Sequence, residues 1–138
     1  MARPNLSIVI PAFNEEKTIR NVVNEVIRYG IPIVVDDGSS DDTARIAIES
    51  GAIVVSHVEN RGYDQALNSG FEKALSLEFD VIMTFDADGQ HSSSLIHDFL
   101  SAIDGGADVV IGVRDRKARF SEAMFALIAS ILWNIRDP

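Results

Sequence analysis

Two kinds of hydrophobic pattern alternate along the chain. Short continuous apolar runs read as buried strands, and longer stretches with apolar residues three and four apart read as helices packed by one face. The strand-like runs are residues 6–10, stopped by Pro11, then 31–35, 52–57, 80–85 and 107–112. The first helical pattern carries Ile19, Val22, Val23, Val26 and Ile27 on one face, with Asn14 as the expected N-cap and Gly30 as its end. The second runs from Ala44 to Ser50 and stops at Gly51. The third ends near Leu77, with Ala66, Leu67, Phe71, Ala74 and Leu75 as its apolar face. The fourth is opened by Ser92, Ser93 and Ser94, buries Leu95, Ile96, Phe99, Leu100 and Ile103, and breaks at Gly105-Gly106.

This β-α alternation predicts an α/β fold with a helix-flanked, mostly parallel sheet. Right-handed crossovers place the carboxyl ends of the strands along one rim, where open sheets of this class bind ligands. The last apolar stretch, 120–135, is too short and interrupted to span a bilayer. It is expected to be a core helix, with a membrane-interface helix beside the basic cluster Arg114, Arg116, Lys117 and Arg119 as the alternative.

At 138 residues the chain has the size of one domain, 1–138. Its net charge of −9 argues against a general nucleic-acid binder, while leaving room for a nucleotide whose phosphates a metal neutralises. The chain has no Cys, hence neither disulfide nor thiolate zinc site, and no recognisable secretory signal; a cytoplasmic or cytoplasm-facing location fits.

The candidate chemistry sits where strands end. Asp86 and Asp88 follow the apolar run 81–85, with Gly89 permitting a turn and Gln90 supplying an amide oxygen. Oxygen donors at a strand's end suit a hard divalent cation, Mg²⁺ or Mn²⁺, with substrate phosphates as further ligands. Asp36 and Asp37 end the second strand, earlier than a helix cap is needed, and at least one of them is read as a ligand group; Asp41 and Asp42 are read as caps. His57 is read as a strand-end residue without chemistry and Arg61 as a surface residue. Acids at two places on one rim suit a nucleoside diphosphate, one pair accepting from base or ribose, the other holding the metal. Neither G-x-G-x-x-G nor a Walker-type loop is present.

The motifs Ile10-Pro11-Ala12-Phe13-Asn14-Glu15-Glu16, Val35-Asp36-Asp37-Gly38-Ser39-Ser40-Asp41-Asp42-Thr43, Asp86-Ala87-Asp88-Gly89-Gln90-His91 and Val110-Ile111-Gly112-Val113-Arg114 stand in the order found in family 2 glycosyltransferases. The chain resembles most the branch of dolichol-phosphate mannosyltransferase and its polyprenyl-phosphate relatives. The resemblance implies a glycosyltransferase A-type, Rossmann-like fold, a nucleotide-sugar donor, a divalent metal, and inverting transfer to a polyprenyl or dolichyl phosphate at a membrane surface. It places Pro11, Phe13, Glu15, Asp36 and Asp37 around the nucleotide, with Asp37 as the partner of the base. It makes Asp86, Asp88 and Gln90 the metal set and brings Arg114 to the diphosphate or acceptor, so that Asp86, Asp88 and Arg114 form the catalytic group.

Two features depart from the family. Asp64 stands where a second Gly is usual, and family catalytic domains continue past Asp137-Pro138, so this chain is expected to be the donor-binding part, truncated at its C-terminus. The alternatives are a non-catalytic nucleotide-sugar-binding module and a haloacid-dehalogenase-type phosphatase. The phosphatase reading rests on Asp86-Ala87-Asp88-Gly89 and is weakened by Gln90 in place of Thr.

Overall fold

The computed structural model describes residues 5–88 and 95–112. They fall in two compact units, Met1–Asp98 and Phe99–Pro138. The first contains β1 (Leu6–Ala12), α1 (Ile19–Val26), β2 (Ile31–Asp36), α2 (Thr43–Glu49), β3 (Ile53–Ser56), α3 (Tyr63–Ser76), β4 (Val81–Thr84) and the start of α4 (Leu95–Asp104). Among the described residues the sheet has four strands, all parallel, in the order β3-β2-β1-β4.

That order explains the burial pattern. β1 and β2 lie between neighbours, and every residue of both is buried except Ile31. Central parallel strands covered on both faces need near-continuous apolar sequence, which these have. β3 and β4 flank them and are only partly buried. The chain winds from β1 through β2 to β3, then returns to place β4 on the other side of β1. The crevice beside β1 is therefore the topological switch point of the sheet.

β1 does not stop at Pro11, as its sequence suggests, but continues to Ala12, with Pro11 opposite Val35. The hydrogen bonds explain why proline is tolerated. Ala12 O accepts from Asp37 N–H on the β2 side, and Val9 O accepts from Phe85 N–H on the β4 side. By alternation Pro11 faces the β4 side, where the ladder has already ended at the pair Val9–Thr84. Its missing N–H leaves no ladder bond unmade.

α3 crosses the sheet on small residues. Ala66, Gly70 and Ala74, spaced one turn apart, are its buried positions. A Cβ on Gly70 would meet Val9 Cγ1 and Val35 Cγ2, so this glycine sets the depth at which α3 lies. Leu67 and Phe71 pack beside the stripe, while Leu75, expected on the apolar face, is 65% exposed. In α1 the expected face holds for Ile19, Val22, Val23 and Val26, whereas Ile27 is the C-cap and is exposed.

In the second unit α4 ends at Asp104, and Gly106 turns the chain at φ 99°. Residues 107–112 are irregular, which corrects the expectation of a fifth strand. A β-rich run becomes a strand only when a partner takes up its N–H and C=O groups, and among the described residues this run has no ladder. Gln90, Ser92 to Ser94, Arg114, the rest of the basic cluster and the apolar stretch 120–135 lie outside the described residues.

Candidate functional site

The segments leaving β1, β2 and β4 meet in one cleft of about 510 Å³ in the first unit. Pro11, Phe13 and Glu15 line it from the β1 side, Asp37 from β2, and Asp86 and Asp88 from β4. Asn60, Gly62 and Tyr63, which lead into α3, complete the wall. Asp36, the last residue of β2, is buried, accepts from Ser39 N–H through Oδ1 at 3.3 Å, and is not among the lining residues.

The β1 wall is held by a latch between two loops. Asn14 is not a helix cap, since α1 starts at Ile19 behind Thr18. It adopts a left-handed conformation, φ 55°, which Asn tolerates better than most residues. There its N–H donates to Ser39 Oγ at 2.9 Å while its Oδ1 accepts from Ser40 N–H at 2.9 Å. Glu15 N–H donates to Thr43 Oγ1 at 2.8 Å, and Glu16 N–H to Asp41 Oδ2 at 3.2 Å. Asp41 Oδ1 also accepts the Thr43 N–H at 3.0 Å, so Asp41 closes the start of α2 as expected. Asp42 makes no cap bond and instead pairs with Arg45 at 2.8 Å. Phe13, carried on this latch, is 47% exposed and lines the cleft.

Asp37 is held by three hydrogen bonds. Its Oδ1 accepts from His57 Nδ1 at 2.6 Å and from Arg61 N–H at 2.9 Å, and its Oδ2 accepts from Gly62 N–H at 2.8 Å. Burial pushes its carboxyl up, but the Arg61 N–H, His57 and the Gly62 N–H together hold it below the usual carboxylate range. Asp41 is held low in the same way, burial being outweighed by the Thr43 hydroxyl, the Thr43 N–H and the Glu16 N–H.

Both shifts have the sign that makes the fold acid-sensitive. A carboxyl depressed by folding contributes stability that is fully present above its unfolded value, 3.8, and is lost as pH falls through the folded value. In thermal melts across this range, the stability advantage of the parent over Asp37→Asn is therefore expected to hold above pH 3.8 and shrink below it. A constant difference down to pH 2.5 would contradict the assignment.

At the other end of the cleft the Tyr63 hydroxyl donates to Asp86 Oδ1 at 3.3 Å. Burial and then the charge of Asp86 push the Tyr63 phenol up to about 12, so it remains a donor at neutral pH. Asp86, Asp88 and this phenol present only oxygen to the cleft, a donor set that fits Mg²⁺ or Mn²⁺ and not a soft metal. Among the described residues no group of three or more His, Cys, Asp or Glu is placed to hold a metal. A cation here therefore needs ligands beyond the two acids, as in sites completed by water and phosphate.

Six of the candidate residues, Pro11, Phe13, Glu15, Asp37, Asp86 and Asp88, line this cleft, and three residues to which the sequence assigns no part, His57, Ser69 and Tyr63, bond to its acids or to one another. His57 is buried between Asp37 and Ser69 Oγ, the latter 2.9 Å from Nε2. The signal that finds it is the parallel register, which puts Ser56 opposite Asp36 and so His57 beside Asp37. Arg61, read as a surface residue, serves the site through its backbone N–H.

The profile of the family described as Glycosyl transferase family 2 matches residues 7–134. Over 134 residues the chain is 35% identical to UDP-N-acetylglucosamine–dolichyl-phosphate N-acetylglucosaminyltransferase of Methanococcus voltae, covering 83% of this chain and 53% of that protein. It is 32% identical over 117 residues to polyprenol monophosphomannose synthase of Mycolicibacterium smegmatis, covering 78% and 44%. Among solved structures, glucosyl-3-phosphoglycerate synthase of Mycobacterium tuberculosis in complex with Mn²⁺, UDP and glucosyl-3-phosphoglycerate aligns with TM-score 0.59 and 31% identity, over 73% of this chain and 39% of that one. The fold is thus of the glycosyltransferase A type, and two relatives are named for the lipid-phosphate branch whose motifs the chain resembles. The chain spans about half the length of the curated relatives it matches.

Proposed function

The chain belongs to glycosyl transferase family 2, and we propose that its cleft binds a nucleotide sugar and presents the sugar to a polyprenyl or dolichyl phosphate. The observation that carries this reading is the meeting of two kinds of wall in one cleft at the switch point. One wall offers an exposed aromatic ring and a fixed carboxylate, Phe13 and Asp37; the other offers the acids Asp86 and Asp88. The first suits a nucleoside and the second a diphosphate with its cation.

Phe13 and Pro11 flank the base, and Asp37 accepts a ring N–H from it. Uracil and guanine carry such a ring N–H; adenine and cytosine do not. Asp36 supports this wall from behind, and Glu15, whose Oε2 accepts from Thr18 Oγ1 at 2.7 Å, faces the nucleoside as a fixed acceptor. Asp86 and Asp88 would hold Mg²⁺ or Mn²⁺, with Gln90 and Arg114 assigned by their motifs to the metal and to the diphosphate or acceptor. When bound, the cation neutralises the diphosphate and stabilises the charge that develops as it leaves.

The protein's remaining work is alignment. A lipid phosphate is ionised at neutral pH, so its oxygen can attack the anomeric carbon without a protein base. One C–O bond forms as the bond to the diphosphate breaks, with inversion and release of the nucleoside diphosphate. No helix among the described residues is long and apolar enough to cross a membrane. The reading places the protein at a cytoplasm-facing membrane surface, where the acceptor's phosphate lies.

The test is turnover. With Mn²⁺ and GDP-mannose, UDP-glucose or UDP-N-acetylglucosamine, release of nucleoside diphosphate should depend on added polyprenyl phosphate. Binding without acceptor-dependent release is the result expected of a non-catalytic nucleotide-sugar module, and would contradict the transfer step.

A further inference from the structure

We infer that His57 and Ser69 form a positioning relay that holds Asp37 so that one remaining acceptor position, on Oδ2, reads the base of the nucleotide. The inference rests on the nucleotide reading of the cleft and adds to it a part for two residues that do not line the cleft.

An ionised carboxylate has about four acceptor positions and no donor. In Asp37 both positions of Oδ1 are taken, by His57 and by Arg61 N–H, and one position of Oδ2 by Gly62 N–H. Three bonds from three directions leave the carboxylate no rotational freedom and leave Oδ2 one position. Because the acid can only accept, the His57 nitrogen 2.6 Å away, Nδ1, must carry hydrogen. This fixes the ring's orientation. Ser69 Oγ, 2.9 Å from Nε2, completes it, since a hydroxyl can donate to that nitrogen or accept from it. The order Asp-His-Ser resembles a hydrolase triad, but Ser69 lies midway along α3 and away from the cleft, so the chain of bonds runs toward the carboxylate, not toward a nucleophile.

The same three bonds shape the cleft wall. Asp37 anchors the amides of Arg61 and Gly62, where Gly62 takes φ 91° to start α3 and set Tyr63 beside Asp86. Without His57, Asp37 loses one of the three bonds that hold it, and its two amide bonds open more readily. A nucleoside then meets a carboxylate that must be ordered on binding, and binds more weakly.

The experiment compares the parent with His57→Ala, His57→Asn and Ser69→Ala. Asparagine can place an amide nitrogen near the position of Nδ1. UDP and GDP are titrated by calorimetry with Mn²⁺, and pyrophosphate with Mn²⁺ serves as a ligand lacking the base. Amide exchange of Arg61 and Gly62 is followed in the unliganded protein. His57→Ala should weaken the nucleotide the parent binds by about tenfold, leave pyrophosphate affinity unchanged, and speed exchange at both amides. His57→Asn should restore most of each effect, and Ser69→Ala should show a smaller loss of the same kind. The inference is overturned if nucleotide affinity is unchanged in His57→Ala and Ser69→Ala, or if pyrophosphate binding falls by the same factor. A parent that binds pyrophosphate but neither nucleotide overturns the nucleotide reading itself, and the inference with it.

Discussion

Replacing Asp88 by alanine is expected to weaken Mn²⁺-dependent nucleotide binding about a hundredfold and to leave the fold in place. Asp88 is an exposed residue in the turn after β4, and substitutions of exposed side chains outside the core usually change stability by about 0.5 kcal/mol or less. Its effect on binding is of another order. Glu15, Asp37, Asp86 and Asp88 line the same cleft in a chain of net charge −9, so a nucleoside diphosphate enters against like charge unless a cation joins it to the acids. Losing one of the two acids assigned to that cation costs a charged contact of about 3 kcal/mol, or roughly a hundredfold in affinity. Calorimetry on the parent and Asp88→Ala, with thermal melts as the control, measures both parts. Equal affinity with Mn²⁺ in the two proteins would show that Asp88 is not a metal ligand.

The second large effect falls on stability. Gly38 lies between Asp37 and the latch that carries Phe13, at φ 74°. An added Cβ would stand 2.5 Å from Glu59 C and 2.7 Å from Asn60 N, both backbone atoms that cannot swing aside. Alanine there meets two penalties, about 1–2 kcal/mol for a left-handed conformation and about 1–3 kcal/mol for forcing a packed contact apart. Gly38→Ala is therefore expected to lose about 2–5 kcal/mol in denaturant unfolding. Because the displaced segment 59–60 adjoins the amides that Asp37 anchors, nucleotide binding should weaken with it. A loss below about 0.5 kcal/mol, the range of a neutral surface change, would contradict the close approach.

Most of the frame was legible in the chain because strand runs and helix faces carry strong local patterns. β1 and β2 are continuous apolar runs since both lie inside the sheet, and the acids stand out because they follow such runs at once. What escaped the sequence depends on contacts distant along the chain. His57 acquires its part only through the β2–β3 register, which brings it to an acid twenty positions earlier. Asn14 looks like a cap, since an Asn before two Glu residues fits one. Its partners are Ser39 and Ser40 on another loop, and only the pairing of β1 with β2 brings that loop near. In α3 the expected apolar face includes Ala66 and Ala74 but not Gly70, which carries no hydrophobic signal, and it includes Leu75, which is exposed. The run 107–112 shows the converse, a strand-like composition without a ladder partner among the described residues.

The central proposal is that the cleft is a metal-assisted nucleotide site. The most direct test is calorimetric titration of the parent chain with UDP, GDP and their sugar conjugates, in the presence and absence of Mn²⁺. Saturable binding of one nucleotide that requires Mn²⁺, retained in its sugar conjugate, is the predicted result. Failure of every nucleotide to bind a folded protein, or binding indifferent to Mn²⁺, would contradict it.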